Sequence, residues 1–139
     1  MSELRTIAFL CIHNAGRSQM ALGWLSSLGG DSLRGMSGGS EPATQLNPRA
    51  VEAMAEIGID IATNTPERWT LETLRTADVI ITMGCGETCP VIPGVRYEDW
   101  AIDDPAGQPI ETVREIRDEI GRRVATLIES FGEDGHATS

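Results

Sequence analysis

The hydrophobic and polar positions along the chain follow two patterns in turn, and these predict strands and helices. Short apolar and β-branched runs predict four strands, over residues 5–11, 33–37, 78–82 and 95–100. Apolar residues spaced by three or four predict helices, over residues 18–28, 48–57, 71–76 and 109–131. Strands that alternate with helices form parallel sheets with helices on both faces. The pattern therefore predicts an α/β fold with three α/β/α layers and a central four-stranded parallel sheet.

Length and cysteine content set the expected organisation. The 139 residues can bury one core, so we expect a single domain over residues 1–132 and a flexible tail over 133–139. Three cysteines, an odd count, and the lack of an apolar leader favour a cytoplasmic chain over a secreted disulfide scaffold. No apolar run approaches the roughly 20 residues of a membrane span. Because no long exposed apolar face is present, we expect a monomer.

The charges exclude several kinds of chemistry. The net charge of −10 argues against a nucleic-acid partner, so an anionic ligand must be held by a local arrangement. All eleven basic residues are arginine, and the absence of lysine excludes a Walker-type phosphate loop and any Schiff base. The two histidines, His13 and His136, are too few for a three-histidine metal site.

The segment between the first strand and the first helix has the pattern of an oxyanion cradle. Cys11 ends the strand and Arg17 opens the helix, with five residues between them. Backbone N–H groups of such a loop form a concave nest, and the helix N-terminus adds positive potential. Arg17 can grip two oxygens through its planar guanidinium, and the same field favours a nucleophilic thiolate at Cys11. The oxyanion-binding residues are then Ile12, His13, Asn14, Ala15, Gly16, Arg17 and Ser18. The alternative is a buried strand cysteine beside an ordinary surface arginine.

A candidate acid follows the last strand, where Pro105 holds Asp104 in an extended loop. Expulsion of water from a tetrahedral centre needs a nearby proton donor. The alternative is a turn or helix-capping aspartate, for which Asp103 is the better candidate.

Two further thiols, Cys85 and Cys89, lie in the glycine-rich loop after the third strand. In parallel sheets ligands bind at the carboxyl ends of the strands, and all three cysteines fall at that edge. We consider three roles for Cys85 and Cys89: a redox pair, two passive cysteines, or two ligands of a zinc site that Cys11 and His13 would complete.

The segment Cys11-Ile-His-Asn-Ala-Gly-Arg-Ser-Gln-Met-Ala resembles the signature of the low-molecular-weight protein tyrosine phosphatase family, and its second half resembles the arsenate reductase branch. The similarity continues through residues 37–38, 47–48, 59–61 and 103–107, and so covers nearly the whole chain. The resemblance implies that Asp104 protonates the departing oxygen. It also implies that Asn14 and Ser18 shape the loop and support the thiolate.

Resemblance to the three-cysteine, thioredoxin-coupled arsenate reductases implies a thiol relay. Cys11 attacks arsenate, Cys85 attacks the Cys11 sulfur as arsenite leaves, and Cys89 then forms a disulfide with Cys85 that thioredoxin reduces. Phosphate and sulfate are the expected competing oxyanions, and no bound cofactor is expected. That branch often has a longer interval between its last two cysteines. The alternatives are a phosphatase with a Cys11 phospho-enzyme, although such enzymes usually offer tyrosines beside the acid, and a non-catalytic As(III)-binding thiol protein.

The resemblance further implies a monovalent cation site near Asn14, Ser37 and Thr65. Glu67 stands where the family commonly has an aspartate, and Leu22 stands where some members carry a glutamate.

Overall fold

The computed structural model describes residues 5–84 and 92–138, with side chains at all of these except residue 31 and residues 132–138. Its sheet has four strands, β1 (Arg5–Cys11), β2 (Leu33–Gly39), β3 (Val79–Thr82) and β4 (Arg96–Asp99). All the pairings are parallel, and the strand order is β2-β1-β3-β4. The predicted four-stranded parallel sheet is therefore confirmed.

The described part also contains four α-helices, α1 (Arg17–Gly29), α2 (Pro48–Glu56), α3 (Leu71–Leu74) and α4 (Ile110–Thr138), and a 3₁₀ turn, Gly30–Ser32. The sequence predicted the end of the last helix at Phe131. The helix instead continues to Thr138 through two glycines, since extending an existing helix needs no new nucleus. The segment expected as a tail thus lies largely within α4. None of the described helices is long and apolar enough to cross a membrane.

Helices cover both faces of the sheet, as the alternating pattern predicted. Side chains of β1 alternate between the faces, as in any strand. Phe9 packs with apolar residues of α1, α2 and α4, whereas Leu10 packs on the opposite face with Leu74 of α3. The three layers therefore enclose two apolar clusters, one on each side of a sheet whose central strands, β1 and β3, are buried except at Arg5.

The parallel arrangement brings the carboxyl ends of the strands to one edge. Cys11 at the end of β1 pairs in register with Gly39 of β2, and Leu10 pairs with Thr82 of β3. The loops that leave these strands, over residues 12–16, 40–47 and 83–84, therefore start side by side. The candidate site lies at this edge.

Candidate active site

The loop after β1 turns four of its carbonyl groups toward residues 40–47. The carbonyl oxygens of Cys11, Ile12, His13 and Ala15 accept hydrogen bonds of 2.8–3.3 Å from the backbone N–H groups of Ser40, Glu41, Ala43 and Asn47, respectively. In a trans peptide the N–H points opposite to the carbonyl of the preceding residue. The N–H groups that follow these carbonyls therefore face the other way, which makes the concave nest that an oxyanion requires.

The first turn of α1 adds further donors to this nest. The N-cap is Gly16, and no described side chain accepts a hydrogen bond at that cap. No acidic residue lies in the first turn either. The free N–H groups and the positive end of the helix are thus left for a bound anion.

Cys11 lies at the floor of the nest, with 2% of its surface exposed. Its sulfur is 2.9 Å from the Ser18 hydroxyl oxygen and accepts a hydrogen bond from the Asn14 N–H at 3.3 Å. The Asn14 side-chain amide donates in turn to the Ser18 hydroxyl oxygen at 2.7 Å. The two residues that the resemblance assigned to thiolate support are thus in place around the sulfur.

Gln19 is a member of this network that the sequence analysis missed. Its side-chain amide donates to the Asn14 carbonyl oxygen at 3.2 Å and to the Asn14 side-chain oxygen at 3.1 Å. The signal in the sequence was a polar residue on the inward face of α1, between Ser18 and Met20, where a buried amide must find partners.

Arg17 is held beside the nest by residues from two other loops. Its guanidinium donates to the Ile102 carbonyl oxygen at 3.1 Å and lies 3.8 Å from a carboxylate oxygen of Asp104. It also lies against the backbone of Gly84, where a Cβ atom would collide with the Arg17 Nη1. Arg17 is 7% exposed, so it is not the ordinary surface charge that the alternative interpretation required.

Asp104 presents one carboxylate oxygen to the site. Its Oδ1 accepts a hydrogen bond from the Ala106 N–H at 2.9 Å, while Oδ2 is the atom nearest Arg17. The next residue, Pro105, is buried and packs so closely on Gly16 that a Cβ at Gly16 would lie 2.7 Å from the proline ring. The contact between Pro105 and Gly16 thereby holds the loop of Asp104 against the cradle. Asp103 forms no ion pair in the described part of the chain.

A cleft of about 310 Å³ opens above these groups. Cys11, Arg17 and Asp104 all line it, together with residues of the 43–48 and 105–107 segments. No phenylalanine, tyrosine or tryptophan of the described chain lines this cleft. The cleft is therefore wide enough for a tetrahedral oxyanion, and His13 carries the one aromatic ring among its described lining residues.

The remaining predicted site residues are less central or lie outside the described residues. His13 lines the cleft, but its Nδ1 donates to the Glu41 carbonyl oxygen at 3.0 Å rather than facing Cys11. Cys85 and Cys89 lie outside the described residues, so their geometry relative to Cys11 stays a prediction. Among described residues, no cluster of three or more His, Cys, Asp or Glu side chains could hold a metal ion.

The structure brings together only part of the monovalent cation site that the resemblance implies. Ser37 and Thr65 line a shared cavity of about 370 Å³, but Asn14 does not line it. The Asn14 side-chain oxygen already accepts two hydrogen bonds, from Gln19 and from the Glu67 N–H at 2.9 Å. The apolar Leu22 forms part of the wall. We therefore derive no step through a cation.

Comparison with known proteins agrees with this geometry. The family model of low molecular weight phosphotyrosine protein phosphatase matches residues 6–137. Arsenate reductase 2 of Staphylococcus epidermidis is 42% identical over 132 residues, which cover 93% of this chain and 97% of that protein. The arsenate reductase of Bacillus subtilis is 41% identical and is covered to 98%. The solved thioredoxin-dependent arsenate reductase of Corynebacterium glutamicum is 38% identical with a TM-score of 0.84, over 96% of this chain and 64% of that one. This chain belongs to the low molecular weight phosphotyrosine protein phosphatase family.

Proposed function

We propose that this chain is an arsenate reductase that works through the Cys11 thiolate. The observation that carries the proposal is that Cys11, Arg17 and Asp104 line one cleft, with the Cys11 sulfur on the floor of an N–H nest. Relatives about 40% identical over most of their length are arsenate reductases. The cradle itself suits arsenate and phosphate equally, because the two ions have nearly the same shape and charge.

The first step is the attack of the Cys11 thiolate on arsenic. A sulfur–arsenic bond forms, and an arsenate hydroxyl leaves as water after it takes a proton from Asp104. Arg17 and the loop N–H groups neutralise the charge on the remaining oxygens. Oδ2 is the oxygen of Asp104 that carries the proton in this scheme, since Oδ1 accepts from the Ala106 N–H.

The second step transfers two electrons to arsenic. Cys85 attacks the Cys11 sulfur, a disulfide forms, and the electron pair of the sulfur–arsenic bond stays on arsenic, which leaves as arsenite. The chain enters Cys85 directly from Gly84, whose backbone lies against Arg17. Cys89 then attacks Cys85, which releases the Cys11 thiolate and leaves a Cys85–Cys89 disulfide.

Thioredoxin is the proposed reductant of that disulfide. The solved relative from Corynebacterium glutamicum is thioredoxin-dependent, and the exchange needs no bound cofactor. Phosphate and sulfate compete with arsenate in this scheme, because the nest recognises a tetrahedral oxyanion. We further propose that the enzyme acts in the cytoplasm as a monomer.

The decisive experiment measures arsenate turnover with thioredoxin, thioredoxin reductase and NADPH, with hydrolysis of para-nitrophenyl phosphate followed in parallel. Reduction should dominate, since no phenylalanine, tyrosine or tryptophan among the described residues lines the cleft to hold an aryl ester. Cys11→Ser should abolish both activities, because a serine hydroxyl is scarcely ionised at neutral pH. Efficient ester hydrolysis without arsenate reduction would contradict the proposed reductase and show that the chain is a phosphatase.

The relay has a separate test in single turnovers without thioredoxin. Cys89→Ser should release about one arsenite per enzyme and stall as a Cys11–Cys85 disulfide. Cys85→Ser should release little or none. Peptide mapping after alkylation identifies the bonded pairs, and the native chain should yield Cys85–Cys89. Free thiols at both positions after turnover would contradict the relay.

A further inference from the structure

Gln19 completes a set of hydrogen bonds that holds the whole cradle. Every carbonyl oxygen from Cys11 to Ala15 accepts a hydrogen bond, and four of the donors are backbone N–H groups of residues 40–47. The fifth carbonyl, that of Asn14, takes its hydrogen bond from the Gln19 side chain. Gln19 is 1% exposed, and its own side-chain oxygen accepts from the Asn64 amide at 3.1 Å. Both ends of this buried side chain are therefore satisfied.

The orientation of the Asn14 side-chain amide is fixed by two backbone groups, one of which can only donate a hydrogen bond and one of which can only accept. A backbone N–H can only donate, so the Asn14 atom that faces the Glu67 N–H must be the side-chain oxygen. A backbone carbonyl can only accept, so the Gln19 atom that faces the Asn14 carbonyl must be the nitrogen. Gln19 and the Glu67 N–H thus both hold the Asn14 oxygen, and the Asn14 amide nitrogen must face Ser18.

This orientation sets the direction of the last hydrogen bond. The Ser18 hydroxyl oxygen accepts from the Asn14 amide at 2.7 Å, which leaves its own proton for the sulfur of Cys11 at 2.9 Å. A thiolate has no proton to give, so Ser18 must be the donor when Cys11 is ionised. The sulfur then receives two hydrogen bonds, one from Ser18 and one from the Asn14 N–H.

Gln19 also holds an uncommon backbone conformation. Asn14 has a φ of 52°, in the left-handed region, which asparagine adopts more readily than most residues other than glycine but still at some cost. Its carbonyl oxygen is the one that Gln19 holds, so the Gln19 hydrogen bond offsets part of the strain. This conformation directs the backbone N–H of Asn14 to the Cys11 sulfur and its side-chain amide to the Ser18 hydroxyl oxygen.

We propose that Gln19 is a positioning residue for the nucleophile: it fixes the Asn14 side chain and backbone so that Ser18 and the Asn14 N–H both donate to the Cys11 thiolate. The role deepens the proposed function, since the same thiolate attacks the oxyanion. Gln19 does not line the cleft, so it acts through Asn14 and Ser18 without touching the substrate.

The test uses the reactivity of the thiol and needs no arsenate. In a Cys85→Ser/Cys89→Ser background, Cys11 is the one remaining cysteine, and its rate of alkylation by iodoacetamide at neutral pH reports the thiolate. Gln19→Met, similar in size but without a donor, should slow alkylation about tenfold, because a hydrogen bond to a charged group contributes roughly one factor of ten or more. The ultraviolet absorbance of the thiolate should fall in parallel. Gln19→Glu, which keeps the acceptor for Asn64, should behave alike and serves if the methionine variant does not fold.

Two controls separate positioning from general loss of structure. Asn64→Ala removes the outer partner of Gln19 and leaves its contacts with Asn14, so alkylation should stay within about twofold of the parent. In a Ser18→Ala background, Gln19→Met should add much less than its separate effect, because the two residues act in one chain of hydrogen bonds.

Two results would overturn the proposal. One is parental alkylation rates in folded Gln19→Met and Gln19→Glu. The other is independent, multiplying effects of Gln19→Met and Ser18→Ala. A different result would contradict the proposed function and leave the positioning role intact: the native chain does not reduce arsenate, but the Gln19 variants still alkylate more slowly than their parent.

Discussion

The guanidinium of Arg17 lies against the backbone of Gly84, at the point where the chain leaves β3 toward Cys85. Gly84 has a φ of 87°, and a Cβ there would occupy the position of the guanidinium. The residue that we propose to bind the oxyanion therefore lies against the residue that precedes Cys85. Arg17 connects the loop after β1 to Gly84, the last described residue before the segment of the proposed relay.

Replacing Gly84 by alanine should displace Arg17 and lower kcat/KM for arsenate about 10–100-fold, the effect of one or two lost hydrogen bonds to a charged group. Steady-state kinetics with thioredoxin measures this. Gly94→Ala is the matched control, because Gly94 has a similar φ of 85° and no atom of the described residues lies within 4 Å of its Cβ position. An equal loss in both variants would assign the effect to backbone strain and contradict the contact with Arg17.

Arg17→Lys should nearly abolish turnover. An ammonium cannot reach the Ile102 carbonyl and grip two oxyanion oxygens at once, as the planar guanidinium can. Calorimetric titration with phosphate should show weaker binding as well, while the thermal midpoint changes little. Near-native kinetics of this variant would show that the loop N–H groups alone hold the anion.

Asp104→Asn should slow the chemical step by roughly 10²–10⁴, the usual loss for a general acid. The amide oxygen of the asparagine can still accept from the Ala106 N–H, so the loop should keep its shape. Single-turnover release of arsenite measures the step, and phosphate binding should be nearly unchanged. Asp103→Asn, one residue earlier, is the control and should have a much smaller effect; the reverse order would place the acid at Asp103.

Stability should depend on pH through Glu56, which joins α2 to α4. Its carboxylate accepts from Arg114 at 2.6 Å and from Arg117 at 3.0 Å, and the Arg114 hydrogen bond lowers the pKa of Glu56 from its ordinary value of 4.5. A lowered pKa in the folded state means that the stabilisation is present above the ordinary pKa and is lost as the pH falls through the lowered one.

Thermal unfolding of Glu56→Gln should therefore show a lower midpoint than the native chain at neutral pH, and the two curves should converge in acid. Glu52→Gln removes a charge from the same helix without breaking an ion pair in the described part of the chain, and should show a smaller difference. A gap between Glu56→Gln and the native chain that persists unchanged at low pH would exclude the carboxylate as its source.

The sequence predicted the features that a local pattern encodes. The strand–loop–helix order around Cys11 and Arg17 was readable because a nest is built from consecutive residues. The contacts of Gln19 with Asn64, and of Arg17 with Ile102, join residues 45 and 85 positions apart. Such contacts depend on how the loops pack at the sheet edge. The spacing of hydrophobic residues along the sequence does not predict this packing. The extent of α4 was missed because its last residues carry no apolar pattern.

Residues 40–47 have two tasks: their main chain holds the carbonyl groups of the cradle, and some of their side chains line the cleft. Four of these carbonyl groups are held by main-chain N–H groups, which every residue except proline possesses. Ala43 and Gln45, by contrast, also line the cleft. Substitutions at these two positions can therefore change which molecules bind while the main-chain hydrogen bonds of the cradle are kept. Descendants of one ancestor can in this way acquire new substrates while inheriting the same attack chemistry.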